Sequence, residues 1–252
     1  MIESICFSDL HIAPYNVKDV AVVLQQITDD ILDRLPEGII ILGDIGNFDS
    51  HNRKSDKFGT ADIKEEKEAV KEVLCEYLFK PIYEYNEHQR NIKKKLYKPT
   101  VIIGLGNHDK AEYKWFKGLF EAISKRLRIP VVVNDDETLI EANGVYFKHT
   151  FDKGISGTMH STCAGLLKDW HCSCVQGHRH VREIAEDSNL DGKKTFAICL
   201  PCATAERPDW ARESSNKWDT GWLRLSWDDK SYHYEFMEYK EDDRVHDISE
   251  TC

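Results

Sequence analysis

Four short segments between residues 9 and 180 each place metal-binding side chains at the end of an apolar run. They are Asp9-Leu10-His11, Gly43-Asp44, Gly106-Asn107-His108-Asp109 and Gly177-His178-Arg179-His180. A chain that carries such a series must fold so that several strands deliver their ends to one place. Asp, Asn and His are ligands for hard-to-borderline divalent cations, and a bridging Asp lets one site hold two ions. Each motif alone is weak, because Gly-Asp dipeptides and paired histidines are common. The four together, each after a strand-like stretch, point to a two-metal hydrolytic centre.

The runs between the motifs indicate how the chain gets there. Residues 2–8 read as a first strand, and residues 17–35 carry Val20, Val23, Leu24, Ile27, Ile31 and Leu35 at helical spacing. Ile39 to Leu42 and Val101 to Leu105 are all-apolar apart from Gly104, as in strands covered on both faces. Helical periodicity spans Ile63 to Lys95, with a break expected at Pro81, and another helix covers about 110–127. Beyond this the chain turns strand-rich: 131–133, 138–141, 145–148, 172–176, 181–186, 194–200, 221–227 and 231–239, with Asn143-Gly144 as a hairpin turn. The stretch between His149 and Trp170 has no clear period. One domain over residues 1–240 and a frayed acidic tail over 241–252 are expected.

Composition sets limits. With 41% hydrophobic residues in 252, a globular core is the default. No window approaches the ~18 uninterrupted apolar residues of a membrane span, and the N-terminus lacks a signal-peptide pattern, so a cytoplasmic location without membrane association is expected. In that setting the eight cysteines read as free buried thiols. Cys172, Cys174, Cys199 and Cys202 have spacings that a zinc clip can use, but packing is the preferred reading. The net charge of −10 disfavours a broad nucleic-acid surface yet permits a phosphorylated substrate at a local cationic cleft. The basic residues Arg90, Lys93, Lys94, Lys95 and Lys98 read as a solvated helix end.

The motif set resembles that of the calcineurin-like metallophosphoesterases. The resemblance runs through residues 9–180 and implies a four-layer α/β/β/α sandwich of two mixed sheets flanked by helices. It implies that Asp9, His11 and His180 hold one ion, that Asn107, His149 and His178 hold the other, and that Asp44 bridges them. Two divalent ions, Mn²⁺ first and Fe, Zn²⁺ or Ni²⁺ as alternatives, would activate water for attack on a phosphate ester. It also implies a catalytic role for His108 at the leaving oxygen, with Asp109 holding its ring. His149 closes the strand Val145 to Lys148 and is preferred to His160 as the strand-end ligand.

Arg179 is a candidate for a substrate phosphate oxygen, with Arg53 and Lys54 as further candidates. Asp49 is a candidate to brace a ligand. Trp210 and Trp218 are candidates to stack a base, with packing preferred. Ile45-Gly46-Asn47-Phe48-Asp49 departs from the segment that follows Gly-Asp in the protein serine/threonine phosphatases. The expected substrate is therefore a phosphorylated small molecule or a nucleic-acid end. A repair-type nuclease, a protein phosphatase and a non-catalytic metal-dependent scaffold are the alternatives.

Overall fold

The computed structural model describes residues 1–51, 62–135, 138–152, 160, 162–188, 194–205, 218–228 and 231–241. Arg53, Lys54, Trp210 and all of the acidic tail beyond Glu241 lie outside them. Strands β1 (Ile2–Phe7), β2 (Gly38–Leu42), β3 (Thr100–Gly104) and β4 (Val131–Asn134) run parallel, and β10 (Gly221–Trp227) and β11 (Tyr232–Glu238) add antiparallel strands beside β1. Their order is β11-β10-β1-β2-β3-β4. A second sheet has the order β5-β6-β7-β9-β8, from β5 (Ile140–Ala142), β6 (Val145–Lys148), β7 (Ser173–Gln176), β8 (Glu183–Ser188) and β9 (Lys194–Cys199). In this sheet β6, β7 and β9 are parallel.

Alternation along the strands assigns the layers, because successive side chains point to opposite faces. Ile5, Phe7, Ile39, Ile41, Val101 and Ile103 pack on helices α1 (Val17–Arg34), α2 (Ile63–Leu74), α3 (Lys80–Asn91) and α4 (Tyr113–Leu127). Their neighbours Cys6, Ile40 and Leu42 turn the other way. They meet Val145, Phe147, Val175, Phe196 and Ile198 of the second sheet, with Leu223, Leu225 and Trp227 closing that inter-sheet core. The outer face of the second sheet, at Cys174, Ala197 and Cys199, is covered by α5 (Cys163–Trp170). The result is the expected α/β/β/α sandwich. A buried ion pair fastens α1 to β10, where Asp30 accepts from the Arg224 guanidinium at 2.6 Å and from Trp222 Nε1 at 2.7 Å.

Three sequence expectations change. Pro81 does not break the helix: residues 75–79 form a single π turn, and Pro81 falls in the first turn of α3. The carbonyl that its missing N–H would have served, on Tyr77, accepts instead from Thr28 Oγ1 of α1 at 2.7 Å. The helix expected from 110 begins as a short 3₁₀ turn over Lys110–Glu112. The segment before Trp170 contains α5, capped by Thr162, whose side chain accepts from Gly165 N. Eight residues are too few for a periodic signal. Among the described residues, no helix is long and apolar enough to cross a membrane.

Candidate metal centre

All the parallel strands that precede the motifs end at one edge of the sandwich. There, Asp9 N donates to Gly43 O and His11 N to Asp44 O, each at 2.9 Å, so the loop after β1 runs along the loop after β2. Gly177 N donates to His149 O, joining the loops after β7 and β6. His178 N reaches Asp9 Oδ2 at 2.8 Å and thereby joins the two sheets. Residues 169 positions apart in sequence meet there.

The side chains converge as two groups. In the first, His180 Nε2 lies 3.1 Å from Asp9 Oδ1 and 3.2 Å from His11 Nε2. In the second, His149 Nε2 lies 3.1 Å from Asp44 Oδ2 and 3.2 Å from His178 Nδ1. Asp44 Oδ2 is also 4.0 Å from His11 Nε2, so it stands between the groups. Two ligand atoms bound to one cation at about 2.0–2.2 Å are separated by roughly 3 Å. These spacings therefore match shared coordination.

The hydrogen bonds behind the rings sharpen this fit. His149 Nδ1 faces the Leu42 carbonyl at 2.7 Å, and a carbonyl only accepts, so the ring proton sits on Nδ1. Its Nε2 lone pair then faces a carboxylate oxygen, an arrangement that needs a proton or a metal ion. His11 is set the same way, with Nδ1 donating to Asn47 Oδ1 at 3.2 Å. The buried donors Asp9, His11, Asp44 and His149 thus suit divalent cations at both positions.

The electrostatics of these side chains agree. Burial disfavours a charge on His149, yet the adjacent Asp44 carboxylate outweighs it and raises the pKa to about 10. Burial pushes Asp9 up, but His180 more than offsets this and holds it at about 2. Burial dominates at His11 and lowers it to about 3, and it lowers His178 as well. Asp44 is held far below the usual carboxylate range, with His149 overcoming burial. Negative carboxylates beside the neutral imidazoles of His11 and His178 form a cation site, and the proton held on His149 lies where a metal ion would replace it.

Backbone strain concentrates here. Asp9, His11, Asp44, His178 and His180 have φ of 57°, 47°, 47°, 67° and 54°, in the left-handed region that side chains disfavour. Such residues cost about 1–3 kcal/mol each and persist where surrounding structure over-determines them. Asp9 and His11 therefore lie beyond the end of β1 in a turned segment, not on one face of an extended strand. Much of the turning is done by the ligand residues themselves. Gly43 has a positive φ of 72°, whereas Gly106 is needed for closeness, since a Cβ there would lie 2.2 Å from Asp44 Oδ1.

His108 is half-buried, with its ring centroid 5.1 Å from that of His11. Its backbone N donates to Asp44 Oδ1 at 3.0 Å, and Nδ1 donates to the Asn47 carbonyl at 2.6 Å. Asp109 therefore does not hold the His108 ring. Its buried carboxylate accepts from Ile45 N, Gly46 N and Gly106 N, each at 3.1 Å, and staples the loop after β2 to the loop after β3. Burial and the nearby Asp44 charge raise its pKa to about 7 against those three donors. Asn107 is exposed in the same turn, and among the described residues no hydrogen bond ties its amide to His149 or His178. Arg179 pairs with Glu183 and reaches Cys199 Sγ at 3.4 Å, whereas its neighbours His178 and His180 join the cluster. His160 is buried beside α5, with Nε2 3.7 Å from Asp169 on that helix, and His149 is the histidine at the cluster.

The most informative residue absent from the motif reading is Asn47. Its side chain orients His11, its carbonyl orients His108, and its Nδ2 donates to Asp49 Oδ2 at 2.6 Å and Tyr15 Oη at 2.8 Å. Asp49 thus braces a ligand through Asn47. Ser8 Oγ donates to Asp9 Oδ2 at 2.6 Å, and the Trp218 ring lies 4.3 Å from that of His180. Asn47 follows Gly43-Asp44 closely enough to be suspected, but only the fold shows which rings it holds.

Two mixed sheets between helical layers, with every motif at the shared strand-end edge, decide the architecture. The fold is a four-layer α/β/β/α sandwich of two mixed sheets flanked by helices. No protein-family model matches the sequence, and no curated protein matches it. Among solved structures the chain is similar to Vps29 of Chaetomium thermophilum, at 10% identity over 96% of this chain and 100% of that one, with a TM-score of 0.41. It is also similar to a dimetal phosphatase from Danio rerio, at 9% identity over 95% and 97% of the two chains, with a TM-score of 0.39.

Proposed function

We propose that this protein is a dinuclear-metal-dependent phosphoesterase that hydrolyses phosphate mono- or diesters, with a nucleotide or nucleic-acid end as its substrate. One observation carries the reading: two groups of ligand atoms at metal-sharing distances, with Asp44 between them. Asp9, His11 and His180 would hold one ion and His149 and His178 the other, with Asp44 common to both and the exposed Asn107 amide completing the second set. Divalent ions held there, Mn²⁺ foremost, supply an activated water and a positive clamp on the phosphoryl oxygens.

The remaining chemistry belongs to the chain. With Nδ1–H given to the Asn47 carbonyl, His108 Nε2 has no hydrogen-bond partner among the described residues and stands beside the cluster, placed to hold or deliver a proton at the leaving oxygen. Asn47 keeps the His11 ring from rotating, and Leu42 does the same for His149. Asp109 fixes the distance between the Asp44 and His108 loops. Trp218, beside His180, offers an aromatic surface at the cluster, which favours a substrate that carries a base.

The test is hydrolysis of p-nitrophenyl phosphate and of its bis ester by protein loaded with Mn²⁺, with metal content measured on the same sample. Cleavage of either ester supports the reading. Protein that holds two metal ions and cleaves neither would defeat it.

A further inference from the structure

Behind the Gly177–His180 loop, on the outer face of the second sheet, two thiols lie in contact. Cys163 opens α5 and Cys199 ends β9, and their sulfurs are 2.9 Å apart in a fully buried position. Three donors converge on Cys199 Sγ: the Cys163 S–H, Gln176 Nε2 at 3.0 Å and an Arg179 guanidinium nitrogen at 3.4 Å. A sulfur that receives three donors, one of them cationic, is in a setting that suits a thiolate. Cys163 is tied in turn to Glu183, whose Oε1 accepts from Cys163 N at 2.9 Å while Oε2 pairs with Arg179.

A metal ion is the competing occupant of Cys163, Glu183 and Cys199, and it fits less well. Two thiolates on one zinc ion, each about 2.3 Å from it, stand about 3.8 Å apart. Here the sulfurs are closer, and the Arg179 guanidinium already pairs with Glu183 and reaches Cys199. We propose that Cys163 and Cys199 are an oxidisable dithiol that hydrogen peroxide converts to a disulfide, with Cys199 as the attacking and Cys163 as the resolving sulfur.

The step balances. The Cys199 thiolate attacks one peroxide oxygen, the O–O bond breaks, and hydroxide leaves and takes up the proton displaced from the thiol, giving a sulfenic acid and water. Cys163 sulfur then attacks the sulfenic sulfur. The S–O bond breaks, and hydroxide leaves with the Cys163 proton as a second water. The two sulfurs lose two electrons in all, and one peroxide gains them. The hydrogen bond from Cys163, followed by those from Gln176 and Arg179, outweighs burial and lowers the Cys199 thiol, while burial raises those of Cys6, Cys75 and Cys172. Arg179 and Glu183, which contact the pair, have partly exposed side chains. Because Arg179 stands between His178 and His180, the pair adjoins the loop of the metal centre without belonging to it.

The test is peptide mass mapping of the full chain, freed of metal and treated with a small molar excess of hydrogen peroxide before thiol alkylation. The expected product is one Cys163–Cys199 cross-link, lighter by two hydrogens and reversed by dithiothreitol, formed before the partly exposed Cys75 and Cys172 react. Cys163→Ser should halt at a Cys199 sulfenic acid that dimedone traps. A wild-type map with no such link, or with Cys75 or Cys172 oxidised first, overturns the proposal whether or not the variant folds. Since the readout is covalent mass, it is independent of any phosphoesterase activity.

Discussion

Replacing Asn47 with alanine isolates the residue on which both the His11 and the His108 rings rest. The substitution removes Oδ1, which His11 Nδ1 faces at 3.2 Å, and leaves that N–H without its protein acceptor in a site where His11 is 1% exposed. An orphaned buried donor costs about 1–3 kcal/mol. Loss of a partner that orients a metal-binding histidine weakens metal affinity by about 10–100-fold, or roughly 1.4–2.7 kcal/mol, so the two estimates agree in size. Asp49 and Tyr15 remain bonded to one another at 3.0 Å, which keeps the loop in place. The His108 anchor is the Asn47 backbone carbonyl, which alanine retains. The expected result is therefore weaker Mn²⁺ binding by calorimetric titration, with turnover of a phosphate ester at saturating Mn²⁺ within a few-fold of wild type. Unchanged Mn²⁺ affinity would refute the link through His11. A saturated rate that falls as far as in His108→Ala would refute the separation of side-chain and carbonyl roles.

His108→Ala should retain both ions by metal analysis yet lose about 10²–10⁴-fold in turnover, the usual reach of a positioned proton donor, whereas Asp44→Ala should lose the ions themselves. A fully active Asp44→Ala would end the case for a bridge. Metal binding should also release protons: ion-free His149 stays protonated up to a pKa of about 10 beside Asp44, so an ion entering at neutral pH displaces its proton. Affinity should then rise with pH toward that value. Calorimetry in buffers of different ionisation enthalpy counts the protons, and a count of zero would contradict the Asp44–His149 geometry. Asp30→Ala removes the acceptor of the buried Trp222 N–H and one of the two carboxylates on Arg224, which keeps Glu235, and should destabilise the fold by about 1–3 kcal/mol in urea melts, with metal content intact in the folded protein.

Much of this was legible in the chain because strand alternation and helical spacing are local. Ile39 to Leu42, Val101 to Leu105 and the α1 pattern declared themselves, as did the motif at each strand end. The Pro81 expectation failed because Thr28, distant in sequence, satisfies the carbonyl that the proline leaves free. The role expected of Asp109 failed for a similar reason. Adjacency to His108 says nothing of the three backbone N–H groups that arrive from two loops. Arg179 sits between two cluster histidines, yet its guanidinium pairs with Glu183 of β8, a contact that position in the motif does not reveal.

By itself, the sequence determined the kinds of donor atom and the strands that carry them, since these depend on residue identity and short-range pattern. Only the tertiary structure decided which nitrogen of each histidine faces the cluster, that Asn47 orients two rings, and that Cys163 touches Cys199. Those facts depend on contacts between segments far apart in the chain, and no local periodicity encodes them.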